Sequence, residues 1–285
     1  MLQKIISPVW LHTFAAFFLP VSFDVRKSVR WGALFIALLL PMTLAEASQQ
    51  REVSKDYRKA AKHYRFKIKP DVVFPANMSG VPLPLRQQEK QLGRFFEALD
   101  DLGENFVRRS GLKSVMICKS LKLNGMACAG VARDDCMYLI EKASKKVVYH
   151  EMFHIFDPKR KNRDWQKLNH PQFRYRGIDF PDRPVREKDK RALQEHYSKV
   201  KKDFSADFVS FYAQSSEVED RAETFAAMMF EGRKFYSRVQ KSSVLFNKML
   251  FIIRMTGRNK LLGKSFWEEK LGSWINDPPP RQQKR

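Results

Sequence analysis

A stretch of eight residues, Val147-Val148-Tyr149-His150-Glu151-Met152-Phe153-His154, constrains this chain more than any other. The apolar residues in and after it (Val147, Val148, Phe153, Ile155, Phe156) predict a buried helix over 143–156, with Pro158 just past its end. Positions i and i+4 stack on one helix face, so His150 and His154 present two imidazole nitrogens to one ion. Glu151 lies one residue on, near the same cleft. There it is placed to take a proton from a metal-bound water and pass it to a leaving group. Zinc is the expected metal, one ion per chain, because it lowers the pKa of such a water to about 7. The plain alternative is two histidines on an amphipathic helix, satisfied by backbone or acids. The strand-like region before the helix weighs against that, since an active-site helix needs a sheet to pack on.

A catalytic zinc has three protein ligands and an open position. The remaining histidines past residue 47 (His63, His170, His196) sit in no second metal-like motif. The better source is Ser216-Glu217-Val218-Glu219-Asp220-Arg221-Ala222-Glu223, where Glu219 and Glu223 share a helix face. One of the two can ligate the ion, while the other can accept the free N–H of a ligating histidine and fix its tautomer. Ser216-x-x-Glu219 also fits a helix capping box, which competes for Glu219. Glu223 lies beside Ala222 and Ala226, on the side of the helix that faces inward, where a carboxylate needs a buried partner.

Around these motifs the pattern is α+β. Leu92, Phe95, Phe96, Leu99, Leu102, Phe106 and Val107 recur at helical spacing over 86–110, and Gly111 suits a C-terminal cap. Segments 114–123 and 126–132 flank Asn124-Gly125, a hairpin signal. A second turn at Asp134-Asp135 leads into 136–140, so a small antiparallel meander is expected. Helices are expected over 186–202, 216–231 and 233–255. The expected fold is therefore a small, mainly antiparallel sheet, an active-site helix and a helical C-terminal part. The expected organisation is an extended segment over 48–85, a catalytic domain over 86–275 and a disordered basic tail over 276–285.

Residues 1–47 read as a signal peptide or membrane-anchoring segment. Arg26-Lys27-Ser28-Val29-Arg30 precedes an apolar run over 31–44 and then Ala45-Glu46-Ala47, the three parts of a secretory signal. The earlier run over 5–23 is interrupted by Pro8, His12 and Pro20, and keeps a membrane anchor as the alternative. The expectation is export, to a periplasm or beyond the cell. Lys and Arg number 53 against 31 acidic residues, a net charge of +22. Such a surface favours anionic partners (an acidic peptide or protein substrate, an envelope polymer or a membrane surface), and simple solubility accounts for it equally well. Nucleic acid is disfavoured, because no recognition helix or aromatic-basic platform stands out. Nothing in the sequence signals an oligomeric state. Cys118, Cys128 and Cys136 form no Cys-x-x-Cys pair, which argues against a thiolate zinc site; one disulfide or three free thiols fit equally.

The run Phe208-Val209-Ser210-Phe211-Tyr212-Ala213, followed by Glu219-Asp220-Arg221-Ala222-Glu223-Thr224-Phe225-Ala226, resembles a signature of gluzincin-type zinc metallopeptidases. That group includes the catalytic domain of anthrax lethal factor and related bacterial zinc-binding metallopeptidases. His150-Glu151-Met152-Phe153-His154-Ile155-Phe156-Asp157 is similar to their His-Glu-x-x-His-x-x-Asp stretch, and Trp165, Asn169, Phe173 and Tyr175 to a segment between the motifs. The resemblance implies a zincin-like fold and peptide hydrolysis. It implies His150, His154 and Glu219 as zinc ligands and Glu151 as general base. It further implies Glu223 and Asp157 as supports of the ligands, and Tyr212 as the phenol that stabilises the oxyanion. It covers roughly 110–235, and the long separation of His154 from Glu219 departs from compact members. The other readings are a zinc hydrolase acting on an anionic envelope polymer, and a degenerate zincin-fold module that binds without turnover.

Overall fold

The computed structural model describes residues 55–69, 73–157, 164–177, 187–200, 203–258 and 261–272. The expected signal or anchor and the basic tail lie outside the described residues. Within 48–85, read as extended, the structure has a helix, α1 (Lys55–His63), and two strands, β1 (Lys67–Ile68) and β2 (Met78–Pro82). The periodicity of α1 is weak because only Ala61 is buried on it.

The helix expected over 86–110 is two: α2 (Leu85–Leu102) and α3 (Glu104–Ser110). Gly103 between them adopts φ 78°, a left-handed conformation that ends one helix and redirects the chain into the next. Then follow β3 (Ser114–Leu123), β4 (Met126–Ala127), β5 (Gly130–Arg133), β6 (Cys136–Ile140) and α4 (Lys145–Phe156). The C-terminal half holds α5 (Glu187–Lys199), α6 (Glu217–Glu231), α7 (Arg233–Val239), α8 (Ser243–Gly257) and α9 (Lys264–Leu271). The run expected as one helix over 233–255 breaks at Ser242, whose hydroxyl caps α8 by accepting from Leu245 N at 3.1 Å.

The molecule is α+β, but its sheet is mixed rather than a meander. β3 is the hub: it pairs in parallel with β1 and β6, and antiparallel with β2 and β4. β5 lies outside β6 and antiparallel to it. The hairpin at Asn124-Gly125 forms, yet it pairs only Lys122 and Leu123 with Ala127 and Met126 before the chain leaves β3. The reason is hydrophobic. Cys136-Met137-Tyr138-Leu139-Ile140 is apolar throughout and suits an interior position, whereas Gly130-Val131-Ala132-Arg133 is shorter, ends on a charge and suits an edge.

Alternation along β3 and β6 divides the interior. Val115, Ile117, Met137 and Leu139 face the large core shared with the helices. Met116, Cys118 and Tyr138 face a smaller cluster with Met78, Leu121, Leu123 and Val131. α4 packs on β5 and along α6. Phe153 of α4 meets Phe225 of α6 with ring centroids 4.7 Å apart, and Phe106 of α3 stacks on Phe225 at 5.7 Å. Each fully buried ring of this kind contributes about 1.5–3 kcal/mol. An aromatic seam thus fixes the two helices that carry the motifs. No helix among the described residues is long and apolar enough to cross a membrane.

Candidate metal centre

α4 begins where Ser144 accepts from the Val147 N–H at 3.4 Å. Its buried face carries Val148, Tyr149, Met152, Phe153 and Phe156, while His150 and His154 turn to Glu219 and Glu223 of α6 and Glu151 lies against Gly130 of β5. The Nε2 atoms of His150 and His154 are 2.9 Å apart. Glu219 Oε2 lies 3.1 Å from the first and 3.2 Å from the second. Among the described residues, this is where three His, Cys, Asp or Glu donor atoms converge in the manner of a metal site.

The donor set fits a small cation. Protons alone serve this triangle poorly, because two ring nitrogens and one carboxylate oxygen all point at one spot. An ion about 2.0–2.1 Å from each donor serves all three, since tetrahedral ligands of zinc stand about 3.3 Å apart. The charge balance points the same way. Glu151, Glu219 and Glu223 surround two imidazoles, and all lie in the buried or nearly buried wall of the cleft. Burial alone lowers the His150 pKa and is its largest single influence; the neighbouring Glu219, Glu223 and Glu151 carboxylates outweigh it and hold the ring at about 10. Glu219 is held well below the usual carboxylate range, as both imidazoles overcome its burial.

Ser216 caps α6, its hydroxyl accepting from Glu219 N at 3.3 Å. Both readings of Glu219 thus meet in one residue: its backbone belongs to the cap, while its side chain turns to the histidines. Glu223, one turn on, places Oε1 2.9 Å from His150 Nδ1, close though off the line of a good N–H···O bond. A proton on Nδ1 there leaves the Nε2 lone pair for the ion. Glu223 is itself held by Ser210, whose hydroxyl donates to Oε2 at 2.7 Å, and by Lys146 Nζ at 3.8 Å.

Tyr212 sits in a short 3-10 turn, Tyr212–Gln214, beside α6. Its ring centroid is 6.1 Å from that of His150, and its hydroxyl lies within electrostatic reach of Glu219. Burial, then the Glu219 and Glu151 charges, push its pKa far up, so it remains a neutral phenol and a donor. Glu151 is buried over the triangle. Burial raises its pKa, the two imidazoles pull it down, and Glu219 pushes it up again.

Asp157 stands apart from this arrangement. It ends α4, and its Oδ2 accepts from Arg221 Nε at 2.7 Å rather than from a histidine. It braces α4 against α6 instead of orienting a ligand. The residue type is suited to either role, and only the neighbouring arginine decides. A second brace escaped the sequence reading. Asp220, fully buried next to Glu219, accepts from Trp165 Nε1 at 2.9 Å and Tyr175 OH at 2.8 Å, and pairs with Lys248 Nζ at 2.8 Å. Asn169 Nδ2 donates in turn to the Tyr175 hydroxyl at 2.8 Å. The Trp165–Tyr175 segment, similar in sequence to a known pattern, thus anchors the helix that carries Glu219. The three cysteines are free thiols. Burial pushes Cys118 and Cys128 up to about 11, which leaves both as unreactive thiols at neutral pH.

A pH dependence follows from His150. In the metal-free protein its protonated ring stabilises the fold fully below its ordinary value of 6.5, and that contribution fades as pH rises toward about 10. Zinc requires the ring without its Nε2 proton. Apparent zinc affinity is therefore expected to rise about tenfold per pH unit between about pH 7 and 9. Zinc titrations across that range measure the slope, and a flat profile contradicts the raised pKa of His150 in the metal-free protein.

No protein-family profile matches the chain, and no curated protein matches it. Among solved structures it is similar to a protein of Bacteroides caccae ATCC 43185 described as a "putative zinc-binding metallo-peptidase". The identity is 15%, the TM-score is 0.47, and the match covers 82% of this chain and 95% of that one. At that level the likeness carries no weight for the site, which stands on its own geometry.

Proposed function

We propose that this chain is a zinc-dependent metallopeptidase of the gluzincin type with a zincin-like catalytic domain, and that it acts after export. The observation that carries the reading is the donor triangle of His150, His154 and Glu219 with the Glu151 carboxylate buried beside it. A bound zinc supplies Lewis acidity and makes hydroxide available near neutral pH.

The chain's own residues divide the remaining work. Glu151 takes a proton on its carboxylate and returns it to the leaving amine. Its raised pKa, nearer the working pH than that of a free carboxylate, suits both steps. The Tyr212 hydroxyl turns from Glu219 to the negative charge that develops on the scissile carbonyl oxygen. Glu223 keeps the His150 ring oriented, and the Ser210 hydroxyl keeps Glu223 in place. The Asp157–Arg221 pair holds the two helices in register.

The substrate is a peptide or protein, and the net charge of +22 favours an acidic one. The same charge favours one rival, hydrolysis of an anionic envelope polymer at the same centre. A pool of random peptides and an envelope-polymer digest, each incubated with zinc-loaded and chelator-stripped protein, separate the two. Zinc-dependent cleavage of peptides is expected, lost on stripping and restored by one equivalent of zinc. Cleavage of the polymer alone favours the rival, and zinc binding without any turnover favours a binding module.

A further inference from the structure

The side of the cleft against which Glu151 rests is backbone. Gly130 opens β5, the strand at the edge of the sheet beside α4. A Cβ at position 130 would lie 2.9 Å from Glu151 Cγ, 3.0 Å from Glu151 Oε1 and 2.8 Å from Val147 Cγ1. The first and last of these are closer than van der Waals surfaces allow, and the second is at the limit. Two residues along the strand, the Ala132 backbone N–H lies near enough to the Glu151 carboxylate to favour its charged form.

The common reason for a glycine is absent here. Gly130 is not among the residues with positive φ, so its backbone conformation is open to alanine or serine. It is a strand residue paired with Leu139, not a turn. What excludes a side chain is the neighbour, and that neighbour is buried with little room to withdraw.

We propose that Gly130 is a positioning residue for Glu151: its missing side chain sets where the carboxylate stands relative to the His150, His154 and Glu219 donors. This rests on the hydrolase reading above. The strand serves as a gauge, with bare backbone at Gly130 against the stem and Oε1 of the glutamate. A Cβ at 130 displaces the carboxylate before it reaches His150, His154 or Glu219, since its three nearest contacts are all with Val147 and Glu151.

The test is G130A in the zinc-loaded protein. A misplacement on the order of 1 Å is expected to lower kcat about 100-fold, with KM changed less than about twofold and zinc bound at wild-type stoichiometry. The exchange is repeated in a V147A background, which removes the close contact with Val147 and leaves the one with Glu151. The same fold loss of kcat relative to V147A is expected. A loss that disappears there comes through Val147 packing and overturns the proposal, as does G130A with wild-type kcat. A crystal structure of G130A, or of G130A/V147A if the single variant does not fold, is read without any activity. It is expected to show the Glu151 carboxylate displaced and the three donors in place; an unmoved carboxylate overturns the proposal. If the wild-type protein hydrolyses nothing, the hydrolase reading fails, while this comparison still decides what Gly130 does.

Discussion

Glu151→Gln is expected to abolish hydrolysis, with kcat lowered about 10²–10⁴-fold, in a protein that folds and still binds zinc. The exchange is nearly isosteric. The amide side chain keeps the stem that packs on Gly130 and an oxygen that can accept from the Ala132 N–H, so the fold has no reason to suffer. It loses the ability to take a proton, and the negative charge that the site otherwise places beside His150 and His154. Turnover on the peptide pool and zinc content, measured on the same preparation, check both halves. Full activity in this variant sinks the mechanism. Inactivity accompanied by loss of zinc moves Glu151 from proton transfer to metal binding.

Glu219→Ala is expected to cost more metal affinity than any other single exchange of a carboxylate in the chain. It removes one corner of the triangle, the oxygen 3.1 Å from His150 Nε2 and 3.2 Å from His154 Nε2, and leaves two imidazoles with no anionic donor in line. Loss of a supporting carboxylate such as Glu223 lowers affinity about 10–100-fold, and loss of a ligand exceeds that. The wild-type protein is expected to carry one zinc per chain and the variant none after dialysis, with Glu223→Ala in between. The Ser216 hydroxyl cap on the Glu219 N–H is untouched, so α6 survives and metal content reads the side chain alone. An E219A protein that retains zinc with undiminished affinity removes Glu219 from the donor set and leaves the centre without its third ligand.

The donors were readable in the sequence because helical spacing is a geometric rule. His150 and His154, four residues apart on an apolar helix, had to share a face, and so did Glu219 and Glu223. Their convergence across 65 positions between His154 and Glu219 was suggested by chemistry, since two imidazoles need a third ligand. The sheet was less readable. Periodicity and turn signals identified β3, β6 and the 126–132 stretch that holds β4 and β5, but not β1 and β2, which lie in the segment read as extended. Which strand is interior depends on long-range competition for the core, and β6 rather than β5 takes the side of β3. The break at Gly103 and the role of Gly130 were hidden for a related reason: a glycine signals freedom or closeness, and only its neighbours say which. Asp157 and Asp220 sit next to the motifs, and their partners Arg221 and Lys248 come from other segments or other turns, where spacing gives no rule.

The ammonium of Lys248 lies in the interior with no exposure, as does the carboxylate of Asp220. Removing one member of such a pair costs about 3–5 kcal/mol, because the other is left as a stranded charge. Lys248 belongs to α8, late in the chain, whereas Asp220 is the immediate neighbour of Glu219. During synthesis, then, the segment with the third metal donor emerges well before the counter-charge that lets it settle. A chain halted short of residue 248 has every donor residue but lacks the partner that seats the helix bearing one of them. Assembly of the centre is thereby tied to synthesis of α8, and a fragment that stops before it is poorly equipped to hold the metal.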